Sequence, residues 1–133
     1  MNFLIDTNIC IYIINNHPPE VIEKFRQFDA GEVGISSITV SELQYGVAKS
    51  THKKENQRRL NEFLMPFEIL PYDEMVAKYY GEIRVQLEKK GIMIGPLDML
   101  IAAHALSQDL VLVTNNGQEF ERVANLKVEN WVG

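Results

Sequence analysis

Short apolar runs of strand length alternate with segments of helical length along this chain. The predicted strands are residues 2–5, 33–35, 67–70, 110–113 and 126–128. The predicted helices are residues 8–14, a segment after Pro18 and Pro19, and residues 38–47, 53–65, 73–90 and 97–106. Strands that alternate with helices pair in parallel through right-handed crossovers. The pattern therefore predicts a three-layer α/β/α domain with a central, mostly parallel sheet of about five strands.

The length and charge of the chain restrict its organisation and its partners. Its 133 residues provide one ordinary core, so we expect a single domain over residues 1–133. Eighteen acidic and thirteen basic side chains give a net charge of -5, which argues against a broad basic surface for nucleic acid. Phosphate chemistry on such a protein requires a metal ion or a local basic patch.

The chain carries no sign of export or of a disulfide framework. No basic segment followed by a long apolar run is present near Met1, and no apolar run is long enough to span a bilayer. The single cysteine, Cys10, excludes an internal disulfide and a multi-cysteine zinc motif. We therefore expect a cytoplasmic protein without a membrane segment.

Three short motifs each place one carboxylate among apolar residues. They are L-I-D-T-N with Asp6, S-S-I-T-V-S-E-L with Glu42 and G-P-L-D-M-L-I-A-A with Asp98. An ionised carboxylate in apolar surroundings is costly unless a cation or hydrogen bonds compensate it. Three such placements in one small domain indicate a shared cation. Because no His or Cys cluster accompanies them, the favoured ions are Mg²⁺ and Mn²⁺.

The predicted topology brings these motifs toward one edge of the sheet. Asp6 follows the first strand, and ligands of open parallel sheets bind at the carboxyl ends of the strands. Asp98 shares a helical face with the apolar residues that follow it, so it is expected to point inward. Glu42 lies three residues before Tyr45, which we also interpret as a packed face. A bound metal at this edge would activate water and neutralise charge on a phosphodiester.

The motifs together resemble the PIN-domain ribonucleases, specifically the VapC-type toxins of bacterial toxin–antitoxin pairs. The resemblance is carried by D-T-N at Asp6, S-x-x-x-x-S-E-L at Ser36, P-x-D-x-x-I-A-x-H-A at Pro96 and V-T-N-N-x-x-E-F at Val113. It spans essentially the whole chain, with the motifs in matching order. It implies a Mg²⁺- or Mn²⁺-dependent endoribonuclease that cuts single-stranded or loop RNA of the transfer or ribosomal type. It also implies a cognate antitoxin that blocks the site, and a homodimer.

The resemblance assigns roles to individual residues. Asp6 and Asp98 match the principal metal ligands, and Glu42 matches the third acid of the pocket. Many relatives carry an aspartate where this chain has Asn116, which leaves a second metal position open. Glu119 follows one short turn later and joins the predicted catalytic group in a supporting role. The other predicted supporting residues are Thr7, Thr114, Asn115 and Asn116.

A basic stretch follows the helix that carries Glu42. The predicted RNA-binding residues in it are Lys49, Lys53, Lys54, Arg58 and Arg59, opposed within the stretch by Glu55 alone. It lies close enough in sequence to Glu42 to guide phosphates toward the site. The alternatives are a solvated helix face or a surface that binds the protein partner.

Two other functions are compatible with the same pattern. One is a catalytically silent PIN-like module that binds RNA or protein, against which the three retained carboxylates argue. The other is a phosphate-handling domain, such as a receiver or a phosphohydrolase, in which Asp6 alone would accept the phosphoryl group. His104 faces away from Asp98 on its predicted helix, so a core or interface position is expected rather than metal binding.

Overall fold

The structure is a computed structural model, and it describes residues 1–132. Five strands form one sheet: β1 (Phe3–Ile5), β2 (Val33–Ser36), β3 (Glu68–Leu70), β4 (Val111–Val113) and β5 (Val128–Glu129). Their order is β3-β2-β1-β4-β5, and every neighbouring pair is parallel. The predicted α/β/α fold with about five strands is confirmed, and the sheet is parallel throughout.

Within residues 1–132, seven α-helices connect the strands. They are α1 (Thr7–Ile14), α2 (Pro19–Phe25), α3 (Ser37–Ala48), α4 (Lys53–Leu64), α5 (Glu74–Lys90), α6 (Pro96–Ser107) and α7 (Gly117–Phe120). Local sequence explains their ends. Ser36 accepts from the backbone of Ile38 to begin α3, and Gly91 ends α5 with a left-handed φ of 66°. Pro96 occupies the first turn of α6, where its missing N–H removes no helical hydrogen bond.

Three short elements differ from the sequence-based expectation. One is a 3-10 helix at Ala30–Glu32, which was not predicted. The short helix α7 stands where only a turn was predicted, immediately after Asn116. The last strand is Val128–Glu129 rather than residues 126–128, because Leu112 and Val113 of β4 pair with Val128 and Glu129. Short elements have weak periodicity, so neighbouring strands and side chains decide their bounds.

The two faces of the sheet support separate helical layers. Leu4 and Leu112 point into a core formed with α5, α6 and α7. Phe3, Ile5 and Val113 alternate with them and point into a second core, formed with α1 to α4. Both sets of strand side chains are therefore buried, as a central parallel sheet requires. Trp131 closes the second core, stacking on Phe28 at a centroid distance of 5.6 Å.

The strand order determines where a site can form. From β1 the chain proceeds through β2 to β3 on one side, and then returns to place β4 on the other side of β1. This reversal opens a crevice beyond the carboxyl ends of β1 and β4, the usual position of ligands in such sheets. None of the helices within residues 1–132 has the length and apolar character to span a bilayer.

Candidate active site

Asp6 lies at the carboxyl end of β1 and begins α1. Its Oδ1 accepts a 3.0 Å hydrogen bond from the backbone N–H of Ile9, as a helix N-cap does. Its own N–H donates to the carbonyl of Val113, which extends the β1–β4 pairing to the first residue of the crevice. Asp6 is only 8% exposed. The carboxylate is therefore fixed in place, and its second oxygen remains for a cation or for the Thr114 hydroxyl.

Thr7 connects Asp6 to the helix that carries Glu42. The hydroxyl of Thr7 donates a 2.7 Å hydrogen bond to Oε1 of Glu42, which lies in the second turn of α3. Glu42 is half-buried. Because Thr7 directly follows Asp6, this bond brings the second acid to the same end of the sheet as the first. The other oxygen of Glu42 is left for a water molecule or a metal-bound ligand.

Asp98 and Glu119 meet at the start of α6. Oε1 of Glu119 accepts a 2.8 Å hydrogen bond from the backbone N–H of Gly95, and its Oε2 accepts one from the side-chain amide of Asn116. A Cβ atom built on Gly95 would lie 3.3 Å from Oδ2 of Asp98 and 3.7 Å from Oε1 of Glu119. The absence of a side chain at Gly95 therefore allows these two carboxylates to approach each other.

The acids influence each other's ionisation. The pKa of Asp98 is raised to about 7, first by burial, then by Glu119 and by the charges of Asp6 and Glu42. Burial also raises the pKa of Asp6, against the lowering effects of Thr114 and the Ile9 backbone. The pKa of Glu119 is lowered, chiefly by its hydrogen bond from Gly95. The charges of Glu119, Asp6 and Glu42 thus all disfavour ionisation of Asp98, and a cation would relieve this effect.

The carboxylate oxygens of the predicted site are the type of ligand that a hard divalent cation prefers. Within residues 1–132, no group of three or more His, Cys, Asp or Glu side chains is arranged to hold a metal ion. Mg²⁺ commonly binds through one or two carboxylates, with waters and substrate phosphates completing its shell. The predicted pair, Asp6 and Asp98, meets that smaller requirement, with oxygen donors and a raised pKa on both. Their role as ligands stays a prediction.

The two asparagines after β4 form the rim of the crevice. The side-chain amide of Asn115 donates a 2.7 Å bond to the hydroxyl of Tyr12, and its oxygen lies 3.5 Å from Nδ2 of Asn8. Asn116 binds Glu119, and its backbone N–H donates to Thr114. These amides therefore orient neighbouring groups. The contact with Tyr12 was not expected from the sequence, because a helical tyrosine gives no sign of a partner 103 positions away.

A buried link between the helices of Glu42 and Asp98 was also missed. Nδ1 of His104, on α6, lies 2.8 Å from the hydroxyl of Ser36 at the start of α3. Both side chains are fully buried, and Nε2 of His104 has no hydrogen-bond partner within residues 1–132. The hydroxyl of Ser37 accepts from the backbone of Tyr72. The two serines therefore join the start of α3 to α6 and to the segment between β3 and α5.

The basic stretch separates into free and engaged cations. Arg58 forms ion pairs with Glu55 and Glu62 at 2.5 and 2.8 Å. Arg59 donates to the carbonyl of Ile14 at 3.0 Å, across the gap between α4 and α1. In the part of the chain that the structure describes, Lys49, Lys53 and Lys54 form no ion pair and are exposed. Three of the five predicted RNA-binding side chains are thus free to meet phosphates.

An apolar groove of about 290 Å³ adjoins the site between α1, α3 and α4. Glu42 and Arg59 are among the residues that line it. Leu43, Leu60 and Gly46 also line it and make part of its surface apolar. The predicted acid is therefore next to both a charged and an apolar surface.

Comparison with known proteins extends the resemblance over the chain. Residues 3–126 match the PIN domain family. Ribonuclease VapC2 of Rickettsia felis is 46% identical over 132 residues, and 98% of each chain is covered. The tRNA(fMet)-specific endonuclease VapC of Shigella flexneri is 43% identical over 131 residues, again with 98% of each chain covered.

A solved structure gives the same result for the fold. VapBC2 from Rickettsia felis, bound to a DNA fragment from its promoter, superimposes with a TM-score of 0.91 at 44% identity. The match covers 99% of the present chain and 100% of that chain. The two chains therefore share one fold over their whole length.

Proposed function

This chain belongs to the PIN-domain family, among the VapC ribonucleases of toxin–antitoxin pairs, and we propose that Asp6, Glu42, Asp98 and Glu119 form its active site. The observation that carries the proposal is the convergence of these acids: Thr7 donates to Glu42 next to Asp6, and oxygens of Asp98 and Glu119 lie 3.3 and 3.7 Å from the position of a Cβ built on Gly95. Burial and the other three acids also raise the pKa of Asp98 to about 7. Such a cluster is unfavourable by itself and becomes favourable with a cation. PIN-domain ribonucleases generally depend on divalent metals, and this chain's ligands would be Asp6 and Asp98, with Mg²⁺ or Mn²⁺ as the ion.

Each residue then has a definite task. Asp6 is held by the N-terminal turn of α1, so it presents one oxygen without losing side-chain freedom on binding. Glu42, held by Thr7, orients a water toward the phosphodiester. Glu119 fixes the start of α6 through Gly95 and so positions Asp98. Thr114 orients Asp6, while Asn115 and Asn116 order the rim. When bound, the divalent ion lowers the pKa of water and offsets charge on the phosphate.

The substrate is RNA, and we propose single-stranded or loop regions of transfer or ribosomal RNA. A relative at 43% identity is named as a tRNA(fMet)-specific endonuclease. Exposed Lys49, Lys53 and Lys54 are the cations available for the phosphate backbone, and Arg58 and Arg59 contribute less because acids or carbonyls engage them. The ribonuclease and endonuclease names of the relatives favour catalysis over a silent binding module.

We further propose a cognate antitoxin as the partner, a homodimer as the assembly, and a single PIN domain over residues 1–133. The VapBC relatives support the antitoxin partner. The family match over residues 3–126 and the two cores that share one sheet support the single domain.

The test is cleavage of total cellular RNA by purified, partner-free protein in Mg²⁺, Mn²⁺ or EDTA. Cut ends are mapped by sequencing for the wild type, Asp6→Ala and Glu23→Ala, an exposed acid on α2 that serves as control. We expect discrete cuts that require metal, persist in Glu23→Ala and vanish in Asp6→Ala. Equal cutting by Asp6→Ala, or cutting undiminished in EDTA, would refute the assignment. Trapping of a phosphorylated Asp6 would favour the receiver alternative instead.

A further inference from the structure

Tyr45 is an exposed aromatic side chain one turn beyond Glu42 on α3. The sequence-based expectation of a packed face is wrong for this residue, because Tyr45 is 66% exposed. Glu42 and Tyr45 are three positions apart, so they are neighbours on the helix surface. Helical side chains lean toward the N-terminus, so the Tyr45 ring is expected on the Glu42 side of its own turn. Tyr45 therefore offers an exposed aromatic ring on the same helix face as a predicted catalytic acid.

Lys49 forms a cation–π contact with the Tyr45 ring. Its Nζ lies 4.9 Å from the Tyr45 ring centroid, within cation–π distance. Lys49 is exposed and has no ion-pair partner within residues 1–132. Lys53 and Lys54 follow after the short turn between α3 and α4. An aromatic surface next to free cations matches single-stranded nucleic acid, in which flat bases alternate with phosphates.

From this arrangement we infer that Tyr45 stacks on a base of the RNA substrate next to the cleaved phosphodiester, while Lys49 binds an adjacent phosphate. The inference rests on the proposed function, since it gives a location to the substrate of that site. The charge distribution favours RNA over a protein partner at this surface. Lys49, Lys53 and Lys54, near Tyr45, form no ion pair within residues 1–132, and all three attract phosphates. The acids of the site repel the RNA backbone, so these lysines are needed to offset that repulsion.

Stacking also explains how an acidic protein can hold an acidic polymer. Base–aromatic stacking does not depend on net charge and is tolerant of sequence, because every base has a π face. The ring would fix the register of the strand relative to Glu42. The metal site would then receive a phosphate that is already placed rather than one that is attracted by charge alone.

The test is a binding cycle in EDTA, where no metal-dependent cleavage interferes. Fluorescence anisotropy compares 12-nucleotide oligoadenylate with a 12-nucleotide abasic ribose-phosphate chain of equal charge. The proteins are wild type, Tyr45→Phe, Tyr45→Ala and Met65→Ala, a control at the C-terminal end of α4 that is 80% exposed. Tyr45→Ala is expected to weaken oligoadenylate binding roughly 5- to 150-fold and to leave the abasic chain unaffected. Tyr45→Phe and Met65→Ala should match the wild type with both ligands.

Lys49→Gln supplies the complementary result. This variant should weaken the binding of both ligands by similar factors. It should also lower the magnitude of the slope of log affinity against log salt concentration by about 0.7. In the cleavage assay, Tyr45→Ala should raise KM, as loss of substrate binding does, and should also lower kcat because the strand is no longer held in register.

Equal loss of both ligands in Tyr45→Ala, or no loss, would overturn the inference. Failure of the wild-type protein to bind oligoadenylate would also overturn it. The same holds if the only defect of Tyr45→Ala is weaker binding of the antitoxin. The binding cycle uses no catalysis, so its failure is separate from failure of the proposed nuclease, which the metal and Asp6→Ala comparison reports.

Discussion

The hydroxyl of Thr7 donates a 2.7 Å hydrogen bond to Oε1 of Glu42, and thereby joins the start of α1 to the second turn of α3. Thr7→Val keeps the shape and removes this donor. We expect kcat/KM for RNA to fall roughly 5- to 30-fold, because a hydrogen bond to a charged, half-buried group contributes about 1–2 kcal/mol. Thr7→Ser should retain most of the activity. Wild-type activity in Thr7→Val would show that this bond does not orient Glu42.

Asp98 should make the stability of the metal-free protein depend on pH. Its folded pKa of about 7 lies above the unfolded value, so the folded state binds more protons in this interval and stability falls as the pH rises from about 4 to 7. Asp98→Asn removes this penalty. In EDTA at pH 8 we expect a gain of about 1–2 kcal/mol, or several degrees in Tm, after discounting for solvent screening of a half-exposed group.

At pH 4 the same substitution should bring little gain, because the wild-type carboxyl is then protonated in the folded state and about half protonated in the unfolded state. Thermal unfolding at the two pH values measures the difference. Nuclease activity should be lost throughout. An Asp98→Asn protein that is less stable than wild type at pH 8 in EDTA would show that burial and repulsion among the acids do not raise the pKa of Asp98.

Gly95 should tolerate no side chain without a cost to catalysis. A Cβ there would lie 3.3 Å from Oδ2 of Asp98, so Gly95→Ala must displace that carboxylate by a few tenths of an ångström. We expect a roughly 3- to 10-fold lower kcat, since small displacements of reacting groups reduce rates strongly. Gly81→Ala is the control, because a Cβ in that part of α5 meets nothing within 4 Å. It should keep full activity and gain about 0.5–1 kcal/mol of stability.

The lysines at the start of α4 should contribute long-range attraction for RNA. Lys53→Glu with Lys54→Glu is expected to weaken RNA binding and to lower its salt slope by at least about 1.4, for two phosphate contacts on a single strand. Lys78→Glu with Lys89→Glu changes the net charge equally on the exposed face of α5. If both double variants lose affinity to the same extent, net charge rather than this surface is responsible.

His104 should make stability depend on pH with the opposite sign to Asp98. Burial lowers its pKa in the folded protein, so its contribution is present above the unfolded pKa of about 6.5 and is lost as the pH falls through the folded pKa. His104→Asn places an amide near the position of Nδ1 and does not titrate. The variant should retain the contact with Ser36 and lose less stability than wild type between pH 7 and 5.

His104→Gln, whose amide reaches toward the position of Nε2 instead, serves as the comparison. It should be the less stable of the two variants by about 1 kcal/mol, since Ser36 loses its partner. Urea unfolding across the pH range measures both effects. Equal stability of the two variants would show that the link to Ser36 contributes nothing.

The sequence was sufficient for the fold because its strongest signals are local. The apolar runs before Asp6 and around Leu112 and the stripe along α5 each need only neighbours in sequence to be recognised. The predicted site acids stood out in the sequence for a related reason, since a carboxylate within an apolar run is costly unless it is compensated. The strand order then placed Asp6 and Thr114 at one end of the sheet.

The contacts that tune the site were not predictable, because they join distant segments through ordinary side chains. Nothing in the sequence indicates that Glu119 accepts from the backbone of Gly95, or that Ser36 contacts His104. Tyr45 was misassigned because a helical period gives the angular position of a side chain but not what lies opposite it. Such contacts follow from tertiary packing, which periodicity alone does not specify.

The order of the strands also makes the predicted site depend on segments that are far apart in the chain. The central strand, β1, comes first in the sequence, yet its neighbour β4 and the residue Glu119 come more than a hundred residues later. A chain cut before β4 would lack one neighbour of β1 and the acid that accepts from Gly95. Such a truncated chain would keep Asp6, Glu42 and Asp98 in its sequence but would lose the contacts that bring them together.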